Sequence, residues 1–272
     1  MAGLTALSDT PRGLVAYAFV FAAFLYLPVL LIPLFSFNTG YYVKFPIEGL
    51  TLDWYRQLSA RAPLKAAFFN SLQLGAVVSV LSTVLAVPAA IAIARYKLPG
   101  IRLILGFMML PFVVPSLIFG VALLALVNRL DVTLSLTTVA MGQTVICLPY
   151  AISTLLPRFD LYDRSIEEAS ADLGENALWT FWRITLPTIG PGILASLLMS
   201  FTISFDEFYM AFFLSGTEST LPIYIWTQLR FPQDFPSLLA LASLILVFSF
   251  LMVLISLRVS GLGAVITKRG TE

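Results

Sequence analysis

AFFNSLQLGAVVSVLSTVLAVPAAIAIA, Ala67–Ala94, runs for 28 residues without a charged side chain. As a helix it is about 42 Å long, more than the roughly 30 Å of hydrocarbon that a spanning helix crosses. Five further runs read the same way: 13–37, 103–127, 133–156, 186–214 and 237–257, none with an internal Lys or Arg. They are apolar all round, whereas barrel strands are segments of about 10 residues that alternate apolar and polar. The fold class expected is therefore an all-α membrane protein: one domain over residues 1–272, with six transmembrane helices. The first run, about 25 residues, exceeds the apolar core of a signal peptide and reads as an uncleaved span.

Composition agrees. The chain has 272 residues, 59% hydrophobic and 11% charged, and a mean hydropathy of +0.92; soluble domains are about one-quarter charged. Net charge is +1, which gives no electrostatic reason to bind nucleic acid. There is no histidine and a single cysteine, Cys147. A disulfide framework, His-ligated zinc and Ser-His or Cys-His nucleophiles are thereby excluded, and no metal site is expected. Cys147 reads as a small buried hydrophobe.

With the N-terminus inside, Arg12, Arg95, Lys97, Arg102, Arg158, Arg164, Arg183, Arg258, Lys268 and Arg269 face the cytoplasm. Lys44, Arg56, Arg61, Lys65, Arg129 and Arg230 then lie outside. That excess places both termini in the cytoplasm. The outer segment 38–63 contains GLTLDWYRQL, a short interfacial helix with Trp54 and Tyr55 at headgroup depth. Pro88, Pro111, Pro115 and Pro149 punctuate the spans and read either as kinks around a pathway or as ordinary membrane-helix prolines. The small residues of Ala86–Ala94 suit close helix packing.

The inner loop, 157–185, is the most charged part of the chain. Ser165 and Glu168 have capping-box spacing, and Glu167, Glu168 and Asp172 crowd the start of a short helix that Gly174 ends. A second short helix over about 175–183 carries Leu178, Phe181 and Trp182 and ends on Arg183, and Pro187 falls in the first turn of the next span. Such a helix–turn–helix knob either docks into a groove on another protein or merely closes two spans.

The loop resembles the EAA motif of ABC-importer permeases: Glu168-Ala169-Ser170, three residues, Gly174, nine residues, then Ile184, Leu186 and Pro187. Ser170 departs from the usual second alanine. Six spans, the position of the motif and the chain length are similar to a type I permease subunit. FFNSLQLG (Phe68–Gly75), ARYKLPG (Ala94–Gly100), SFDEF (Ser204–Phe208) and GTESTLPIYIW (Gly216–Trp226) resemble the second permease of spermidine/putrescine-type importers. The resemblance implies a multi-pass subunit of the bacterial plasma (inner) membrane, working with a cytoplasmic ABC ATPase dimer, a second permease subunit and an extracytoplasmic substrate-binding protein. It further implies ATPase coupling through Glu167, Glu168, Ala169, Asp172, Leu173, Gly174, Ile184, Leu186 and Pro187.

No GxxxxGKS/T run exists; no glycine is followed by lysine. This chain therefore lacks the phosphate cradle. No cofactor is expected in it, ATP and magnesium belong on the partner ATPase, and the chain itself is no enzyme. Asp206 and Glu207 are the acidic residues of the spans; intramembrane charge is costly and usually marks a pathway or a partner. Asp206 lies 19 residues beyond Pro187, about 28 Å along a helix, toward the outer side. A pathway built on Asp206, Glu207, Tyr150 and Gln143 would suit a polyamine or a similar cationic or zwitterionic amine. The competing readings are a helix-end charge or inter-subunit salt bridge at Asp206 and Glu207, and interhelical bonding at Gln143 and Tyr150. Asn70 reads as a helix cap. The alternatives are an ABC permease for another small solute and an ion-gradient-driven secondary transporter, whose charges belong near the midplane.

Overall fold

A computed structural model describes residues 12–47, 49–96, 99–160 and 162–269. Lys97 and Leu98 of the ARYKLPG stretch and both chain ends, which the expected orientation partly uses, lie outside the described residues. The described chain is helical: α1 (Arg12–Ser36), α2 (Asp53–Ala60), α3 (Ala62–Arg95), α4 (Ile101–Met108), α5 (Leu110–Val113), α6 (Ser116–Arg129), α7 (Leu136–Asp160), α8 (Ser165–Asp172), α9 (Ala177–Thr180), α10 (Leu186–Thr188), α11 (Gly190–Asp206), α12 (Tyr209–Leu214), α13 (Leu221–Gln228) and α14 (Phe235–Arg269). Among the described residues the only β pairing is the isolated bridge Asn38–Leu50.

The chain forms two compact units, Met1–Arg61 with Gln228–Phe248, and Ala62–Thr227 with Ser249–Glu272. In the first, α1 is 6% buried over its most apolar stretch. The segment after it is fastened by polar contacts: Ser36 Oγ lies 2.6 Å from Tyr55 Oη, and Arg61 Nη2 lies 2.5 Å from Asp234 Oδ1. The expected α2 helix forms. Trp54 is buried and donates its indole N–H to the Asn38 carbonyl at 2.8 Å, so it secures the segment from within.

In the second unit α3, α7 and α11 pack together. Small residues make this possible, as at membrane-helix interfaces generally. Gly192, Ser196, Ser200 and Ser204 recur every fourth residue of α11 and are buried. Ser196 Oγ and Thr83 Oγ1 meet at 3.0 Å, and a Cβ on Gly75 would stand 3.0 Å from the Phe201 ring. Ala86, Val87 and Ala90 close on Ala151, Ile152, Leu155 and Ile189, the tight packing read from the Ala86–Ala94 stretch.

Among the described residues four helices are long and apolar enough to cross a membrane, or five when the bent pair Ala177–Thr188 and Gly190–Asp206 counts as one. The run 103–127 is not continuous. It breaks into α4, α5 and α6, the longest of which is 14 residues, about 21 Å. Two prolines are the cause. Val114 is extended (φ −80°, ψ 124°), as a residue before proline is pushed to be, and Pro115 then starts a new helix. Pro88 and Pro149, in contrast, sit inside unbroken helices.

The run 186–214 is also interrupted, at both ends. The second knob helix does not stop at Arg183: it continues from α9 through a π turn, Phe181–Thr185, into α10. The Leu186 N–H bonds the Phe181 carbonyl five residues back. This widened turn accommodates Pro187, whose ring would clash with the carbonyl four residues earlier. Pro187 therefore belongs to the knob helix, a 68° bend follows, and Pro191 takes the first turn of the span. Counted from Gly190, Asp206 stands about 24 Å along α11, less than the expected 28 Å.

Candidate functional site

The knob is built from α8, α9, the π turn and α10. Ser165 does not form the expected capping box: Asp163 Oδ1 accepts the Ser165 N–H at 3.0 Å instead. That bond, with one to the Ser165 hydroxyl, holds the Asp163 carboxyl below its ordinary range. Helix α8 ends as the sequence predicts. Gly174 has φ +89°, its N–H bonds the Ala171 carbonyl at 2.9 Å, and the Glu175 N–H bonds the Ser170 carbonyl at 3.1 Å. These are the paired bonds of a Schellman cap. Asn176 then caps α9, its Oδ1 accepting the Trp179 N–H at 2.9 Å.

Ser170, the departure from the motif, earns its place. Its hydroxyl meets Thr180 Oγ1 at 2.9 Å, both residues being buried, and so joins the two knob helices. On the outer surface every residue from 171 to 179 is exposed. Leu173 is 86% exposed, and Ile166, Leu178, Trp179 and Trp182 also present apolar surface. Ala169 and Asp172 are exposed as well, Ile184 and Leu186 are half-buried, and Pro187 is exposed. Arg183 reaches Glu175 at 2.8 Å and lies 4.8 Å over the Trp179 ring, which orients the indole at the rim.

The two adjacent glutamates separate. The Glu168 side chain is 70% exposed and only loosely paired with Arg164 at 3.9 Å. The Glu167 side chain is 14% exposed and turns inward. Its Oε1 takes the Arg95 guanidinium at 2.5 Å, the Tyr162 hydroxyl at 2.9 Å and the Thr185 hydroxyl. Burial pushes the Glu167 carboxyl up, but the Thr185 and Tyr162 hydroxyls and the Arg95 guanidinium outweigh it and hold the group below the usual carboxylate range. Burial, and then the bond to Glu167, raises the Tyr162 phenol. Arg95 also lies 5.7 Å over the Phe159 ring and 5.5 Å over the Tyr162 ring. A cavity of about 300 Å³ lined by Arg95, Glu167, Glu168 and Thr185 runs between the knob helices and the end of α3.

Of the four expected pathway residues, Gln143 and Glu207 come together, the Gln143 amide interacting with the Glu207 carboxylate; among the described residues neither Tyr150 nor Asp206 hydrogen-bonds to them. Gln143 is 1% exposed and accepts the Ser204 hydroxyl at 2.6 Å; Tyr150 packs edge-on to Phe112 at 4.4 Å. Both sit within helix packing. Helix α11 ends at Asp206, and Glu207 is extended (φ −74°, ψ 118°). Its carboxylate accepts the N–H groups of Tyr209 at 3.1 Å and Met210 at 2.7 Å, so it caps α12. Asp206 is exposed and makes no hydrogen bond or ion pair among the described residues.

Sequence reasoning missed the aromatic group that follows. Trp226 lies 5.9 Å from Phe208 and 5.3 Å from Phe212, and Phe208 stacks on Phe212 at 5.3 Å. The signal was in the SFDEF and GTESTLPIYIW stretches, which only the fold brings together. Arg95 was missed as well, read solely as a topogenic charge. Asn70 proves not to be a cap: it stands inside α3 and donates Nδ2–H to the Ser219 carbonyl at 2.9 Å. With Ser71 Oγ, which accepts the Leu221 N–H at 2.8 Å, it ties down the loop after α12.

A bacterial ABC transporter involved in the import of the acidic polysaccharide alginate shares this fold, with a TM-score of 0.69 over 92% of this chain and 98% of that one, at 16% identity. Residues 83–261 match the binding-protein-dependent transport system inner membrane component family, and the chain belongs to it. It is a permease of a type I ABC importer, a membrane component and not a catalyst. It is 29% identical to the spermidine/putrescine transport system permease protein PotC of Haemophilus influenzae, over 89% of this chain and 93% of that one. It is 32% identical to the putrescine transport system permease protein PotI of Escherichia coli, over 82% of each.

Proposed function

We propose that this permease imports a polyamine or a similar organic cation across the plasma (inner) membrane of a bacterium, and that the loop 157–185, with the knob helix that continues through α10, is the cytoplasmic coupling loop. The chain acts as one permease domain with six spans and both termini in the cytoplasm. The broken stretch 101–129 makes the third crossing, as a bent helix, and α11 with α12 makes the fifth. A cytoplasmic ABC ATPase dimer grips the knob, a second permease subunit completes the pathway, and an extracytoplasmic binding protein delivers the solute.

The observation that carries the coupling assignment is the exposed apolar tip, above all Leu173, displayed by a cap that only Gly174 supplies without strain. Glu168, Ala169 and Asp172 join Leu173 and Gly174 as the docking face. Glu167, Ile184, Leu186 and Pro187 transmit from within. ATP-driven closure of the ATPase pair moves the knob as a lever, and the 68° bend before α11 carries that displacement into the spans.

For the solute, the supporting feature is the exposed Asp206 carboxylate followed directly by the Phe208–Phe212–Trp226 group. Carboxylates and aromatic faces each attract an ammonium. Gln143, Tyr150 and Glu207 then shape the pathway by holding its helices. The test is uptake of labelled spermidine and putrescine into liposomes that contain the complete importer. Asp206→Asn should lower polyamine uptake while the ATPase still co-purifies; unchanged uptake refutes the solute assignment. Leu173→Asp should release the ATPase, and its retention refutes the docking assignment.

A further inference from the structure

We propose that Arg95 is the positioning residue through which the knob moves α3, and that its ion pair with Glu167 is the mechanical tie between them. The inference rests on the reading of the knob as the coupling loop. Four elements converge on the single oxygen Glu167 Oε1. Arg95 ends α3, Tyr162 follows α7, Glu167 belongs to α8 and Thr185 closes the π turn.

Displacing α8 while leaving α3 in place would strip a carboxylate with 14% of its side chain exposed of its guanidinium partner. Separation of such a pair leaves uncompensated charge in a poorly hydrated place, so the two helices should move as one body. Arg suits this post better than Lys. Its guanidinium bonds the carboxylate while its flat face lies over the Phe159 and Tyr162 rings at 5.7 and 5.5 Å, and a lysine ammonium offers only a point charge. Helix α3 in turn packs on both α7 and α11, so what moves its end acts on the helices beside it. The adjacent Glu168 faces outward and among the described residues pairs only with Arg164. The division of labour follows: Glu168 meets the partner, and Glu167 passes the motion on.

The test uses the full importer in liposomes, with spin labels on Val84→Cys in α3 and Ile166→Cys in α8; Cys147, the one native thiol, is buried. In the parent the distance between labels stays narrow and unchanged when ATP is added. In Arg95→Gln it broadens with ATP, and spermidine taken up per ATP hydrolysed falls about tenfold, with the ATPase still co-purifying. Arg95→Lys recovers part of the loss, and exchanging the pair, Arg95→Glu with Glu167→Arg, recovers more than either single change retains. A distance that stays narrow in Arg95→Gln overturns the proposal, as does loss of uptake in step with loss of bound ATPase. If Arg95→Gln does not fold, Glu167→Gln carries the same expectations; if that too fails to fold, the pair is structural and the proposal is wrong. Loss of ATPase from the parent itself would refute the docking assignment instead, while the distance in the free chain still reports on the tie.

Discussion

Gly174 offers a clean separation of backbone conformation from steric crowding. Its φ is +89°, and no atom lies within 4 Å of where a Cβ would stand. Side-chain bulk therefore has nothing to collide with, and the cost of substitution is the left-handed backbone alone. That cost is about 1–2 kcal/mol for an ordinary L-residue, and the loss of unfolded-chain entropy on replacing glycine returns about 0.4–1 kcal/mol. Gly174→Ala should thus destabilise the cap by about 1 kcal/mol, Gly174→Val by more because of its β-branch, and Gly174→Asn by least, since Asn tolerates this region. Thermal unfolding of the purified protein in detergent measures the order, and co-purified ATPase with its solute-stimulated hydrolysis measures the consequence. Because the cap sets the angle between α8 and α9, coupling should fall in the same order, Asn least and Val most. If Asn proves as damaging as Val, or if damage follows side-chain volume, the open, conformation-limited account of this position is refuted.

Ser170→Ala, which restores the alanine usual in the motif, should cost about 1–2 kcal/mol by leaving the buried Thr180 hydroxyl unpaired. Adding Thr180→Val should return much of that loss, a non-additivity read in a double-mutant cycle of unfolding. Glu167 is held below its ordinary range in the folded chain. Its stabilisation is therefore complete above the unfolded value of about 4.3 and is lost as pH falls through the folded value; Glu167→Gln should flatten the acid limb of the stability profile. Glu207→Ala removes the acceptor for the Tyr209 and Met210 N–H groups and should destabilise by about 0.5–2 kcal/mol. Asp206→Asn should leave the melting temperature unchanged, and equal destabilisation by both would refute the split between cap and pathway.

Much of this was legible in the chain. Hydropathy alone dictates helices, because lipid offers backbone groups no partner outside the segment. The spacing of the motif fixes the knob, because a left-handed Gly174 and a cap at Asn176 are local devices that need no tertiary help. Local chemistry also hinted at interruptions, but not at which prolines would break a helix. Pro88 and Pro149 ride inside α3 and α7, while the third run breaks before Pro115, where Val114 is extended; Pro28 and Pro33, only five residues apart, sit inside the unbroken α1, so proline spacing alone does not tell which helix breaks.

The roles of neighbouring side chains were beyond the sequence. Glu167 and Glu168 are chemically the same, and only the approach of Arg95, 72 residues earlier, turns one inward as a tie and leaves the other at the surface. Asp206 and Glu207 divide in the same way: the helix stops between them, so one carboxylate is spent on backbone N–H groups and the other remains exposed. Periodicity and composition act over a few turns of chain and determine where helices form and which stretch is the knob. Which charge is satisfied depends on contacts between segments far apart in sequence, and those exist only once α3, α7 and α11 have packed.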